Sequence, residues 1–230
     1  MERAKEAAGR MAADGVENGW KIGLGTGSTV QFTLVRLAER ISGEGLGILG
    51  VPTSRRTAEE ARRLGIPLSR LNDLDGLDVT IDGADEVDPA FNLIKGGGGA
   101  FLEEKVVAAA SNALWIVVDR GKLVDRLGTG FRLPVEVVPL ARSSVVRSLV
   151  VLGAEPEPRK NSHGEDYRTD HGNEILDCRF PGGIADPAAL EREIARIPGV
   201  MESGLFIGLA QRLLIGDPDG KVEIRERPGR

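Results

Sequence analysis

Lys95 stands before four consecutive glycines, Gly96-Gly97-Gly98-Gly99, and the run leads into Ala100-Phe101-Leu102-Glu103-Glu104-Lys105. A glycine run that opens a helix offers backbone N–H groups with no side chains in the way, aimed at an anion or a developing oxyanion. Just upstream, Asp82-Gly83-Ala84-Asp85-Glu86-Val87-Asp88 places four carboxylates in seven residues. Crowded carboxylates raise one another's pKa, which suits general acids and bases near neutral pH. Asp82 and Asp85 are the favoured pair, because they lie nearest the end of an apolar run. A solvated turn and a magnesium site compete with that reading, although the spacing does not match a calcium-binding helix–loop–helix. Together the two segments point to acid–base chemistry on a small, oxygen-rich molecule.

A third segment, Gly23-Leu24-Gly25-Thr26-Gly27-Ser28-Thr29, carries three hydroxyls between an apolar run and a helical pattern. A dinucleotide fingerprint would need glycine at Ser28 or at Val30, and a P-loop would need a lysine at the helix entry. What survives is a strand–turn–helix suited to a phosphate monoester. His163 and His171, the two histidines, both fall in a polar stretch and read as solvated loop residues. Proton transfer on this chain therefore falls to carboxylates or lysines.

The elements that must position these residues alternate in the first half. Helix is expected over Glu2–Ala13, Val30–Ile41, Ser54–Leu64 (capped by Ser54 or Thr53) and Ala100–Ala110. Strand is expected over Trp20–Leu24, Gly47–Val51, Leu77–Ile81 and Leu114–Val118. Strand–helix alternation with continuous apolar strands predicts a Rossmann-like parallel sheet with helices on both faces. Ligands bind beyond the C-terminal strand ends of such sheets. The loops Gly25–Thr29, Asp82–Asp88 and Asp119–Lys122 all follow strands.

After Gly128 the grammar changes to strand Leu133–Val138, helix Ala141–Leu152, strand Glu155–Lys160, a polar hairpin, strand Glu174–Phe180, helix Pro187–Ile197 and strand Val200–Phe206. That order predicts a smaller ferredoxin-like α+β domain. A terminal hairpin, Ala210–Ile215 with Lys221–Glu226, is expected to rejoin the first domain. The predicted division is 1–128 with 208–230 as a catalytic α/β domain and 129–207 as the ferredoxin-like domain.

The 230 residues are 41% hydrophobic and 28% charged, with 31 glycines clustered after apolar runs. No apolar run reaches the ~18 residues of a membrane span, and the N-terminal residues lack a signal-peptide core. A soluble, cytoplasmic protein is expected. A net charge of −5 argues against nucleic acid as the main partner. The single cysteine, Cys178, excludes an intrachain disulfide and reads as a buried structural thiol.

Gly25-Thr26-Gly27-Ser28-Thr29, Asp82-Gly83-Ala84-Asp85-Glu86 and Lys95-Gly96-Gly97-Gly98 with Glu104-Lys105 closely resemble type A ribose-5-phosphate isomerase. Leu133-Pro134-Val135-Glu136-Val137, Ala141-Arg142-Ser143, Ile197-Pro198-Gly199-Val200 and Gly204-Leu205-Phe206 extend the resemblance over nearly the whole chain. It implies interconversion of D-ribose 5-phosphate and D-ribulose 5-phosphate through a cis-enediolate, a step of the non-oxidative pentose phosphate pathway, with neither cofactor nor metal. By the same resemblance Glu104 matches the base between C1 and C2, and Asp82 and Asp85 match the acids that open the ring and shuttle hydroxyl protons. Lys95 and Gly96, Gly97 and Gly98 match the sugar-binding, enediolate-stabilising loop. Thr26, Gly27, Ser28, Thr29, Gly83, Ala84 and Lys122 match substrate-binding positions. Glu103 departs from the basic or polar residue expected beside the base, and about 100° of helix rotation separates it from Glu104. A homodimer, or a homotetramer, is implied as well. The rival readings are a sugar-phosphate-sensing module without catalysis, a CoA transferase and an aminosugar-phosphate isomerase.

Overall fold

The computed structural model describes residues 1–227. In chain order the first half contains α1 (Glu2–Asp14), β1 (Lys21–Leu24), α2 (Ser28–Glu44), β2 (Leu49–Pro52), α3 (Arg55–Arg63) and β3 (Val79–Asp82). Two short strands follow, β4 (Glu86–Val87) and β5 (Leu93–Ile94), then α4 (Phe101–Ala109) and β6 (Leu114–Asp119). The second half runs β7 (Leu133–Val137), α5 (Arg142–Val151), β8 (Glu155–Pro158), β9 (Glu174–Arg179) and α6 (Pro187–Ala195). It ends with β10 (Val200–Ser203), β11 (Leu205–Phe206), β12 (Arg212–Gly216) and β13 (Val222–Glu226).

Two compact units emerge. The first comprises Met1–Ala84, Glu103–Lys122 and the chain from Leu209 onward; the second comprises Asp85–Leu102 and Leu123–Gly208. The division thus gives residues 85–102, 123–128 and 208 to the second unit, where the sequence pattern assigned them to the first. The reason is strand pairing: β4 and β5 form a three-stranded antiparallel sheet with β11, and Val87 bridges to Leu123. Residues 228–230 of the expected first domain lie outside the described residues.

In the first unit six strands are ordered β13-β12-β6-β3-β1-β2, all parallel except β13, the edge strand that returns antiparallel beside β12. The terminal hairpin therefore extends this sheet. Every residue of β3 and β6 is buried, as the unbroken apolar runs require of strands covered on both faces. Ile22 and Leu24 of β1 join Ala8 and Ala12 of α1 and Val30, Leu34 and Leu37 of α2 in the main core. The opposite face meets α4: a Cβ on Gly23 would lie 2.7 Å from Val107, and Thr80 Oγ1 hydrogen-bonds Ser111 at 2.7 Å. Ser54 caps α3, accepting the Thr57 N–H at 3.1 Å.

In the second unit the antiparallel sheet is ordered β10-β7-β9-β8. With α5 and α6 as the two crossovers, this is the fourth-first-third-second order of a ferredoxin-like βαββαβ module. Val145 and Leu149 of α5 and Ile194 of α6 pack against Leu133, Val135, Val137, Leu176 and Cys178. The expected strand Glu155–Lys160 stops at Pro158, and its two prolines are tolerated because β8 is an edge strand.

The single strand expected over Val200–Phe206 is instead two, broken at Gly204. There the chain leaves β7 for β5: the Gly204 N–H donates to Pro134 O, and Gly204 O accepts from the Lys95 N–H. A Cβ at Gly204 would lie 2.2 Å from the Lys95 carbonyl oxygen, so only glycine permits the change of sheet.

Candidate active site

The first unit carries Asp82 at the last position of β3, 1% exposed. Its Oδ1 accepts from the N–H groups of Thr26 (3.1 Å) and Gly83 (2.7 Å), so the strand-end carboxylate is fixed by the loop after β1 and by its own turn. Gly83 and Ala84 continue this turn, both half-buried.

Thr26 Oγ1 lies 2.8–3.0 Å from the hydroxyls of Thr53, Ser54 and Thr57, a cluster that pins the loop to the start of α3. Gly27 (φ 136°) is the N-cap of α2, and among the described residues no side chain caps it. The first-turn amides, positive by the helix dipole, are thereby left to face an anion. Ser28 is exposed at this turn and its Oγ accepts from Lys5 Nζ at 2.9 Å, which brings a cation to the same helix end. Thr29 is buried.

Glu104 sits in the first turn of α4 and is 3% exposed, whereas Glu103 beside it is half-buried. The resemblance singled out Glu104 over its acidic neighbour, and helix rotation turns Glu104 inward. Lys122 follows β6 and is half-buried, in a turn where Asp119 accepts the Gly121 N–H at 3.0 Å.

The second unit holds Asp85, Lys95 and the glycine run. The four carboxylates of the acid segment do not share one task. Glu86, on β4 and 2% exposed, accepts from the N–H groups of Gly128 (2.5 Å), Gly130 (2.6 Å) and Phe131 (2.7 Å). Asp88 holds its own turn by accepting from the N–H groups of Ala90 and Asn92. Both act on structure. Asp85 is half-buried, and its Oδ2 accepts the Gly97 N–H at 2.8 Å.

Lys95 is 3% exposed, its Nζ 5.6 Å from the centre of the Phe206 ring. The glycines do not themselves begin the helix, which starts at Phe101. They form a turn closed by Gly99 N–H to Gly96 O at 3.0 Å, with Gly97 and Gly98 exposed. Gly96 has φ 115°, and a Cβ there would lie 2.6 Å from the Phe101 ring.

His163 and His171 are exposed, and Cys178 is fully buried within the second core. Lys5, Thr57 and Phe206 were missed by sequence reasoning. Ser54-x-x-Thr57, a hydroxyl cap with a hydroxyl three residues on, was the one local signal available.

Residues 49–220 match the family model described as ribose 5-phosphate isomerase A (phosphoriboisomerase A). The ribose-5-phosphate isomerase A of Gloeobacter violaceus is 51% identical over 225 residues, covering 97% of this chain and 96% of its own. This chain belongs to the ribose 5-phosphate isomerase A family. The solved ribose 5-phosphate isomerase A of Methanocaldococcus jannaschii superposes with a TM-score of 0.92 at 38% identity, over 97% of this chain and 98% of its own. A D-ribose-5-phosphate isomerase solved in complex with phospho-erythronic acid gives 0.94 at 38% identity, over 98% of this chain and 99% of its own. Membership of the ribose 5-phosphate isomerase A family agrees with the resemblance read from the motifs, and these folds match over both units. Among the described residues no helix is long and apolar enough to cross a membrane.

Proposed function

We propose that this chain interconverts D-ribose 5-phosphate and D-ribulose 5-phosphate through a cis-enediolate. The observation that carries the reading is the relative solved with phospho-erythronic acid. The carboxylate of that four-carbon acid presents two oxygens in one plane, as an enediolate does, and the same molecule carries a phosphate. Glu104 is the base: its carboxylate takes the C2 proton of the open-chain aldose while the C1 carbonyl oxygen gains charge, and returns a proton to C1. The C1 oxygen takes up a proton and the C2 hydroxyl gives one up as the ketone forms, so O1 ends as a hydroxyl and no net proton is lost. Asp82 and Asp85 serve ring opening and these hydroxyl transfers. Lys95 and the Gly96–Gly98 loop hold the sugar and stabilise the developing oxyanion. The first turn of α2, with Thr26, Gly27, Ser28, Thr29 and the neighbouring Lys5, takes the phosphate, and Lys122, Gly83 and Ala84 bind the sugar.

A homodimer or homotetramer completes this reading. Leu140 (96% exposed), in the turn before α5, and Val151 (86% exposed), at the end of α5, supply apolar surface for such contacts. A phosphorylated sugar is charged and retained within cells, which supports a cytoplasmic enzyme. The test is ketose formation from ribose 5-phosphate by the purified chain. Saturable binding of the sugar phosphate with no ketose above the blank would instead establish the sensing module.

A further inference from the structure

Four successive glycines have more backbone freedom than any other run, so a loop of them keeps one shape only if something outside it holds it. In the second unit that holder is Arg159, just after β8, with a side chain only 13% exposed. Its Nε and Nη2 form a two-point pair with Asp177 of β9 at 2.9 and 2.5 Å. The remaining nitrogen, Nη1, donates to Gly96 O at 2.8 Å and lies 3.5 Å from Gly97 O. Tyr167 completes the clamp. Its ring centre is 5.8 Å from Arg159 Cζ, its hydroxyl reaches Gly98 O at 3.4 Å, and a Cβ on Gly99 would strike that hydroxyl at 2.4 Å.

A peptide group is planar and trans, so fixing a carbonyl on one side turns the following N–H to the other. With Gly96 O held by Arg159, the Gly97 N–H points away from it, and there it meets Asp85 Oδ2 at 2.8 Å. One peptide plane therefore links the Arg159 guanidinium to the Asp85 carboxylate. We propose that Arg159, locked by Asp177, is a positioning residue: it sets the Gly96–Gly98 peptide planes and, through Gly97, the Asp85 side chain. The assignment rests on the proposed roles of that loop and of Asp85 in the isomerase reaction.

The experiment combines kinetics with hydrogen exchange of peptides covering residues 96–99, in Arg159→Lys and Asp177→Asn. Lysine keeps the charge but cannot span the carboxylate and the glycine carbonyl together; asparagine keeps the arginine but loosens its lock. Both variants are expected to retain the wild-type circular dichroism while exchange at the loop speeds by about tenfold. Under the same conditions kcat should fall about 10²-fold in Arg159→Lys, with KM for ribose 5-phosphate moving less than about threefold. Should Arg159→Lys lose its fold, Asp177→Asn carries the same two readouts. Unchanged loop exchange in a folded variant overturns the clamp, whatever the kinetics. Faster exchange with kcat within about twofold of wild type overturns the positioning role and removes the loop from catalysis. Because exchange is read without substrate, it judges the clamp even if the wild-type chain fails to turn over ribose 5-phosphate.

Discussion

Gly25 and Asp82 approach so closely that a Cβ on Gly25 would lie 2.2 Å from Asp82 Oδ1. The parallel register of β1 and β3, Leu24 opposite Ile81, brings the next residue of each, Gly25 just past β1 and Asp82 at the end of β3, side by side. Gly25 makes room for the carboxylate, and the next amide, that of Thr26, then bonds it. Gly25→Ala is expected to destabilise the fold by about 1–3 kcal/mol through overpacking and to lower kcat by displacing Asp82. Gly43→Ala, in the exposed last turn of α2 with nothing within 4 Å, should instead stabilise by about 0.5–1 kcal/mol. Urea unfolding and turnover of the two variants check the contrast.

Glu104→Gln keeps the volume of a buried side chain and removes its ability to take a proton. The variant should fold normally and lose more than about nine-tenths of wild-type turnover, since a positioned general base contributes about 10²–10⁴ in rate. Glu103→Gln, at the half-buried neighbour, should stay within about threefold. Steady-state ketose formation by both variants decides the assignment; a Glu104→Gln enzyme with more than about a tenth of wild-type rate takes Glu104 out of the base role.

Glu86 stands in the acid segment yet accepts three backbone N–H bonds from the 128–131 turn. Glu86→Ala leaves those buried donors without an acceptor and should cost about 2–5 kcal/mol. The loss would appear as a lower urea midpoint with an unchanged slope.

Cys178 is enclosed by the second core, and burial, with Asp177 beside it, pushes its thiol well above the usual range. A thiolate is the reactive form. Between pH 7 and about 9 the native chain should therefore resist a disulfide-exchange reagent, with one thiol per chain titrating once denaturant is added. Rapid labelling of the folded protein would contradict this.

Metal dependence follows from how the carboxylates are used. With Glu86 and Asp88 committed to backbone amides, the proposed proton transfers rest on Glu104, Asp82 and Asp85 alone. Treatment with EDTA is expected to leave ketose formation intact. Loss of activity restored by added Mg²⁺ would bring a metal into the reaction.

Much of this molecule was legible along the chain. The strand ending at Asp82, the helix carrying Glu104 in its first turn and the turn at Gly25–Thr29 follow from apolar runs and their punctuation, which neighbouring residues settle among themselves. The ferredoxin-like order after Gly128 was readable for the same reason, since each element declares its own period. Periodicity reports that a face is buried, without naming what covers it. Glu86 and Asp85 are adjacent acids in one segment, and only the packed chain makes one a cap for the 128–131 turn and the other the acceptor of Gly97.

The sequence alone therefore determined the longer strands and helices, their order, and which carboxylates and hydroxyls stand at their ends, but not the short strands β4 and β5. The folded chain decided the pairing of β4 and β5 with β11, the break at Gly204 and the inward turn of Glu104 over Glu103. It also decided that Arg159, 63 residues from Gly96, holds the glycine loop. Glycine carries no side chain to signal its partner, and a hydrogen bond across that separation exists only once β8, β9 and the loop have packed.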